Sequence, residues 1–179
     1  MVYTTRYASP VGTLVLAERN GALIGLWMEG QKYFLGSLRE ETREWDDAPA
    51  LSRAKGWLDR YFAGERPPIR EVPLAPEGSA FRREVWEILC EIPYGETMTY
   101  GQISQKIAAR RGVERMSAQA VGGAVGHNPI SIIIPCHRVV GTNGSLTGYA
   151  GGLTKKIWLL THEGVDMERL FVPKRGTAL

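Results

Sequence analysis

The sequence predicts a mixed α/β (α+β) chain, with a small antiparallel-sheet domain followed by a mostly helical one that carries a helix-turn-helix and a short catalytic strand. Residues 2–7, 12–17 and 22–28 alternate in the manner of strands, and Asn20-Gly21 is a strong two-residue hairpin signal between the last two. Phe81, Val85, Trp86, Leu89 and Ile92 recur at three- and four-residue spacing, as on the buried face of a helix. Between these regions lies a Pro-rich stretch, residues 65–78, that cannot sustain a helix and reads as a linker. It places the domain boundary at 75/76, giving an N-terminal α/β domain of residues 1–75 and a C-terminal domain of residues 76–179.

The elements follow in order. The three strands suggest an antiparallel meander. A helix is expected over residues 51–62, with Ser52 near its start and Gly64 at its end. Ser79 can cap the helix that begins the second domain, and Thr99 caps the next one, which carries Ile103, Ile107 and Ala108. After a basic turn, residues 110–115, a third helix starts at Ser117 and is rich in Ala and Gly. Two helices joined by a short turn are compatible with a helix-turn-helix. Close helix packing is the competing reading of the Ala/Gly run. Lys155 and Lys156 read as the solvated face of the last helix, and residues 172–179 as a disordered tail.

Composition narrows the class. At 179 residues and 44% hydrophobic, the chain can bury a real core. No apolar run approaches the ~20 residues of a membrane span. Residues 1–10 read as a strand rather than a signal segment, which points to the cytoplasm, where a thiol stays reduced. The two Cys are far apart and belong to no Cys/His cluster, so neither a disulfide framework nor a metal site is supported. A net charge of +3 permits binding to a polyanion without requiring it, and Lys106, Arg110, Arg111 and Arg115 gather around the predicted turn.

The chemistry concentrates in residues 132–140. An apolar run, Ile132-Ile133-Ile134, reads as a buried strand that ends on Pro135 and delivers Cys136 beside His137 and Arg138. A thiol with an ordinary pKa of ~8.5 is only a few per cent ionised at neutral pH, so neighbouring bases and cations decide its reactivity. Asn128 before this run and Glu163 after a later helix are residue types that orient such a base. Cys90, by contrast, lies on the apolar face of a helix with no His near it and reads as inert packing.

The strings PCHRVV (135–140), GHNP (126–129), GYAGG (148–152), WLLTHEG (158–164) and IPYGETMTYGQIS (92–104) together resemble the O6-alkylguanine-DNA alkyltransferase family, the methylated-DNA–protein-cysteine methyltransferases. The likeness spans about the last hundred residues in linear order. It implies an RNase H-like N-terminal domain and double-stranded DNA carrying O6-alkylguanine, also O4-alkylthymine, as the partner of a monomeric protein without a cofactor. Some relatives hold a structural zinc in the N-terminal part, where this chain has neither Cys nor His.

Carried over by position, the resemblance implies that Cys136 takes the alkyl group once and irreversibly. His137 would act through a water as its base, oriented by Glu163, and Asn128 would hold the turn before the nucleophile. Tyr100 would drive rotation of the nucleotide and donate to guanine N3. Tyr149, Val125, Val139 and Ala150 would form the pocket for the flipped base. The second helix would enter the minor groove through Ser117, Ala118, Gln119, Ala120 and Gly122, with Thr99 and Arg138 as further DNA contacts. Gln119 departs from the family, many of whose members have an Arg that fills the gap left by the extruded base. The alternative within the family is a lesion-binding module that does not transfer, against which the presence of Cys136 argues. A Cys-His-Glu hydrolase or acyltransferase would need an oxyanion hole that nothing in the sequence identifies. A redox-sensing transcription factor usually needs a second, resolving Cys.

Overall fold

The structure is a computed structural model that describes residues 1–36 and 38–173. The expected tail therefore lies mostly outside the described residues, although Phe171 is anchored: its N–H donates to Gly144 O and its carbonyl accepts from Leu146 N–H. The chain divides into two compact units, one formed by Met1–Glu77 with Pro129–Ile133 and the other by Gly78–Asn128 with the residues from Ile134 onward.

The first unit is a sheet with one helix on it. Strands β1 (Val2–Ser9), β2 (Gly12–Arg19) and β3 (Ala22–Met28) form the antiparallel meander, and β4 (Thr42–Glu44) adds parallel to β1 to give the order β3-β2-β1-β4. Asn20 and Gly21 both take positive φ, 52° and 77°, which is the requirement of the tight turn that joins β2 to β3. Only one strand of the meander is half exposed, since β2 and β3 are buried on both faces. On β3, Gly25 lies under the indole of Trp27, and a Cβ there would sit 1.9 Å from the ring.

Helix α1 (Pro49–Phe62) packs on the meander through Leu51, Ala54, Trp57, Leu58 and Tyr61. Its N-cap, Ala48, offers no side-chain acceptor. The buried Glu18 of β2 takes that role, its Oε2 accepting from Ala50 N–H at 2.7 Å and Leu51 N–H at 3.3 Å. A cap supplied by a strand 32 residues earlier leaves no local signature in the sequence.

The expected linker proves to be part of this unit. Pro73 O accepts from Leu23 N–H and Ala75 N–H donates to Leu23 O, both at 2.8 Å, so the stretch lies along the β3 edge. Further along the same edge, Leu26 exchanges hydrogen bonds with Pro129 O and Ser131 N–H. This Pro-rich segment forms one 3-10 turn, Ile69–Glu71, and no α-helix, and its remaining N–H and C=O groups complete a sheet edge.

The second unit is built on helices α2 (Ala80–Cys90), α3 (Tyr100–Arg111), α4 (Ala118–Gly126) and α5 (Leu153–His162). Ser79 caps α2 and Thr99 caps α3, as the sequence predicts; Gln102 completes a reciprocal capping box with Thr99, and Ser117 caps α4. Gly112 in the left-handed region (φ 64°) ends α3, and the Ser104 hydroxyl donates to Met116 O, fixing the turn into α4. Trp86 Nε1 donates to Ala124 O at 2.8 Å and ties α2 to α4. Two short strands, β5 (Met98–Thr99) and β6 (Val139–Val140), pair in parallel.

The strand expected through Ile132 to Cys136 is not formed. Residues 131–134 are turn, Ile132 takes φ 70°, and Cys136–Arg138 is one turn of 3-10 helix that leads into β6. Pro135 is why: it has no N–H for a ladder, and its φ of −82° starts the tight turn.

Removing the cap on α1 tests the first unit. Glu18→Ala should lower the stability of the protein to urea by about 1–3 kcal/mol, because two buried N–H groups lose their acceptor. Glu18→Gln, which keeps one acceptor oxygen, should cost less.

Candidate active site

Cys136 begins the 3-10 turn and is 5% exposed. The Asn128 amide and the backbone N–H of His137 act on its sulfur, while the Cys136 N–H donates to Ile134 O at 2.8 Å. Asn128 is itself fixed, since Nδ2 donates to Ile134 O at 2.9 Å while its backbone N–H donates to Val125 O. Burial pushes the Cys136 thiol above its ordinary value, and the Asn128 hydrogen bond, the Lys156 charge and the His137 N–H oppose that rise. The resting sulfur is therefore a thiol surrounded by groups that favour the thiolate.

His137 is fully buried, and its Nε2 lies 2.6 Å from Glu163 Oε2. Burial lowers the imidazole pKa against the pull of Glu163, so the ring is neutral. With an ionised carboxylate as partner, Nε2 must carry the proton, which leaves the lone pair on Nδ1. Nδ1 has no hydrogen-bond partner among the described residues. The arrangement is a neutral base with one nitrogen anchored and the other available.

Glu163 is 3% exposed and held by more than His137. Arg138 donates from Nε to Oε1 at 2.7 Å and from Nη2 to Oε2 at 3.2 Å, while its Nη1 donates to Ile92 O at 2.7 Å. Burial alone would raise the Glu163 carboxyl, but the His137 hydrogen bond and the Arg138 guanidinium hold it well below the usual carboxylate range. This corrects the expected DNA contact at Arg138. The side chain is buried, its nitrogens are committed to Glu163 and Ile92, and its guanidinium carbon lies 5.6 Å from the centre of the Tyr94 ring.

Lys156 is the residue that sequence reasoning misplaced. It is fully buried, not solvated, and Nζ donates to Val139 O at 2.6 Å and Thr147 O at 2.8 Å. Burial pulls its pKa down to about 8, against the Cys136 charge. The signal was present: Lys156, Leu159, Leu160 and Glu163 recur at the three- and four-residue spacing of one helix face. Tyr100, at the start of α3, is 9% exposed, and its hydroxyl donates to Thr147 O and Gly148 O at 3.3 and 3.4 Å. Burial and the neighbouring Cys136 raise it to about 12, so it is a protonated donor at neutral pH.

Val125 and Val139 are buried, and Tyr149 and Ala150 are half-buried in the loop before α5. Ser117, Ala118, Gln119 and Ala120 are exposed on the first turn of α4. Gly122 is buried on the inner face of that helix, which corrects its expected place on the DNA-facing side. Gly123 and Gly126 are the half-exposed glycines of α4, and a Cβ at either would meet nothing within 4 Å. Thr99 spends its hydroxyl oxygen on the α3 cap. Of the basic residues near the turn, Arg110 and Arg111 are paired with Glu91 and Glu84, while Lys106 and Arg115 are exposed. Cys90 is half-buried, and burial raises its thiol to about 11, which keeps it protonated.

Comparison with known proteins covers nearly the whole chain. Residues 1–76 match the model of the 6-O-methylguanine DNA methyltransferase ribonuclease-like domain, and residues 80–165 match the DNA binding domain of the same family. A methylated-DNA–protein-cysteine methyltransferase of Haemophilus influenzae is 40% identical over 92% of this chain and 87% of its own length. One of Mycolicibacterium paratuberculosis is 46% identical over 87% and 88%. The crystal structure of Mycobacterium tuberculosis OGT in complex with DNA superposes with a TM-score of 0.80 at 41% identity, covering 94% of both chains.

The electrostatics of the site predict acid sensitivity. Glu163 stays ionised in the folded protein where the unfolded chain protonates, so its contribution is present above about pH 4.5 and is lost below it. The neutral, buried His137 acts in the same direction from about pH 6.5 downward, because the unfolded chain binds a proton that the folded site disfavours. The urea midpoint should fall as the pH drops below 6.5, and more steeply below 4.5; a midpoint constant down to pH 4 would contradict the assignment. Glu163→Gln should cost about 3–5 kcal/mol by leaving Arg138 buried without its carboxylate.

Proposed function

The chain belongs to the 6-O-methylguanine DNA methyltransferase family, and from that membership we propose that Cys136 is the alkyl acceptor in the direct repair of O6-alkylguanine in duplex DNA. The activity is that of a methylated-DNA–protein-cysteine methyltransferase, and DNA is the partner. The observation that carries the residue assignment is the hydrogen-bonded line from Glu163 to a neutral His137 directly after the nucleophile. It supplies a base for a thiol that burial otherwise keeps protonated.

In the proposed reaction the Cys136 proton passes through a water to His137 Nδ1, and the imidazolium is compensated by Glu163. The thiolate attacks the alkyl carbon in line. The carbon–sulfur bond forms as the carbon–O6 bond breaks, and the electron pair departs on guanine, which Tyr100 serves by donating to N3. The product is a thioether, so each protein molecule reacts once and no cofactor is consumed. Asn128 and the His137 N–H stabilise the developing thiolate.

The DNA-facing assignment rests on small exposed residues. Ser117, Ala118 and Ala120 let the helix backbone approach sugar and phosphate in the minor groove, while Gln119 is the side chain placed to fill the gap of the extruded base. Tyr149 and Ala150, with Val125 and Val139, would receive the flipped guanine. Residues 76–179 would then hold DNA binding and chemistry, with residues 1–75 as a stabilising platform. We assign the same chemistry to O4-alkylthymine, a monomeric state, and a reducing cytoplasmic setting in which the thiol survives.

Intact and peptide mass spectrometry after incubation with a duplex carrying one O6-methylguanine tests the assignment. One methyl group per protein on the Cys136 peptide is expected, with transfer stopping at one equivalent. DNA binding without modification would leave lesion recognition as the function. Cys136→Ala should abolish transfer and retain duplex binding. Gln119→Arg should bind duplex DNA more tightly and flip faster, because a planar guanidinium adds charge and stacking that the amide lacks; an unchanged affinity and transfer rate would remove Gln119 from the interface.

A further inference from the structure

The turn that joins α2 to β5 closes on the ion cluster of the site from outside both α5 and the 3-10 turn of Cys136. Residues 93–96 form it: Glu96 N–H donates to Pro93 O at 3.1 Å, and Gly95 supplies the positive φ, 82°, that its third position requires. The turn lies directly against the end of α5, since a Cβ on Gly95 would sit 3.2 Å from Glu163 O. Ile92 O, just before it, accepts from Arg138 Nη1 at 2.7 Å. Between these two contacts stands Tyr94, to which the proposed reaction gives no part.

The Arg138 guanidinium lies over the Tyr94 ring. Its carbon is 5.6 Å from the ring centre, inside the ~6 Å reach of a cation–π contact. In its plane all three guanidinium nitrogens already donate, Nε and Nη2 to Glu163 and Nη1 to Ile92 O. What remains is the flat face of the group, the surface on which aromatic rings stack. Tyr94 is half-buried, whereas the Arg138 and Glu163 side chains are 8% and 0% exposed. The Tyr94 hydroxyl reaches His162 O only at 3.5 Å, the outer limit of a hydrogen bond, so the ring is the substantial contact.

The strength of an ion pair depends on the exclusion of water, because the attraction weakens as the local dielectric rises. Here that dependence extends to the base. Glu163 Oε2 accepts from both Arg138 Nη2 and His137 Nε2, so a guanidinium that swings off the carboxylate frees the oxygen that anchors the imidazole. We propose that Tyr94 is a positioning residue of alkyl transfer: its ring holds the Arg138 guanidinium on Glu163, keeps water from that pair, and thereby fixes His137. Tyr94 acts through Arg138 and Glu163 and not on the reacting atoms. A ring present only to fill space would be replaceable by leucine. One that holds a cation is replaceable only by another electron-rich ring.

The role rests on Cys136 being the acceptor, and two readouts keep the two apart. The first is single-turnover methyl transfer from an O6-methylguanine duplex, which yields a rate constant at saturating duplex and a half-saturating concentration. The second needs no DNA: proton NMR of the full chain with nitrogen-15-labelled histidine, where an Nε2–H held on a buried carboxylate gives a downfield resonance in slow exchange with water. Tyr94→Leu should lower the rate constant about tenfold at an unchanged half-saturating concentration and lose the His137 resonance to exchange. Tyr94→Phe should keep the resonance and stay within about threefold of the wild-type rate constant. A folded leucine variant that retains the resonance overturns the proposal, as does a phenylalanine variant as impaired as the leucine one.

Should the leucine variant not fold, Tyr94→pentafluorophenylalanine carries the test, since it keeps the shape of the ring and reverses its quadrupole. Its His137 resonance should exchange faster than that of Tyr94→Phe, and equal exchange overturns the proposal. Absence of methyl transfer by the wild type, with the resonance still lost in the leucine variant, overturns the acceptor assignment and supports the hold of Tyr94 on the base. Transfer by the wild type, with the resonance unmoved in the leucine variant, overturns the role of Tyr94 alone.

Discussion

The buried carboxylate of Glu163 is the constraint on which the second unit of this protein depends. An ionised carboxyl inside a helical core is tolerable only if each oxygen is matched, and here Arg138 and His137 do so between them. The match fixes the end of α5, the 3-10 turn of Cys136–Arg138 and, through Ile92 O, the segment that follows α2. Chemistry and folding therefore share one ion cluster. The imidazole cannot turn away from Glu163 without leaving a buried carboxylate oxygen short of a donor.

Much of the architecture was legible because its determinants are local. Ser79, Thr99 and Ser117 each cap the helix that follows, and Asn20-Gly21 takes the positive φ pair that its residue types favour. What escaped depends on groups far apart in the chain. Glu18 caps a helix 32 residues away, β4 pairs in parallel with β1, and the Pro-rich stretch completes an edge of β3. No periodicity encodes these contacts.

The site followed the same division. Cys136, His137 and Glu163 were readable as a constellation of types, since their spacing and chemistry are unusual. Arg138 and Lys156 were misjudged because a cation is assigned to the surface by default, and its burial becomes visible only with its acceptors. Lys156 shows that helical phase outweighs residue type: a charged side chain at the position of a core residue goes where the helix face goes. The β-branched run before Cys136 failed as a strand for the converse reason, since Pro135 outweighs the propensity of three isoleucines.

The two-residue pairing of β5 with β6 sets Met98 opposite Val139 and Thr99 opposite Val140. Tyr100 and Cys136 therefore stand beside one backbone ladder, although most of α3 and all of α4 intervene between them in the chain. Replacements on the exposed first turn of α4 leave untouched the main-chain pairing that sets Tyr100 and Cys136 beside one ladder, and short of proline no side-chain change within that ladder removes its hydrogen bonds.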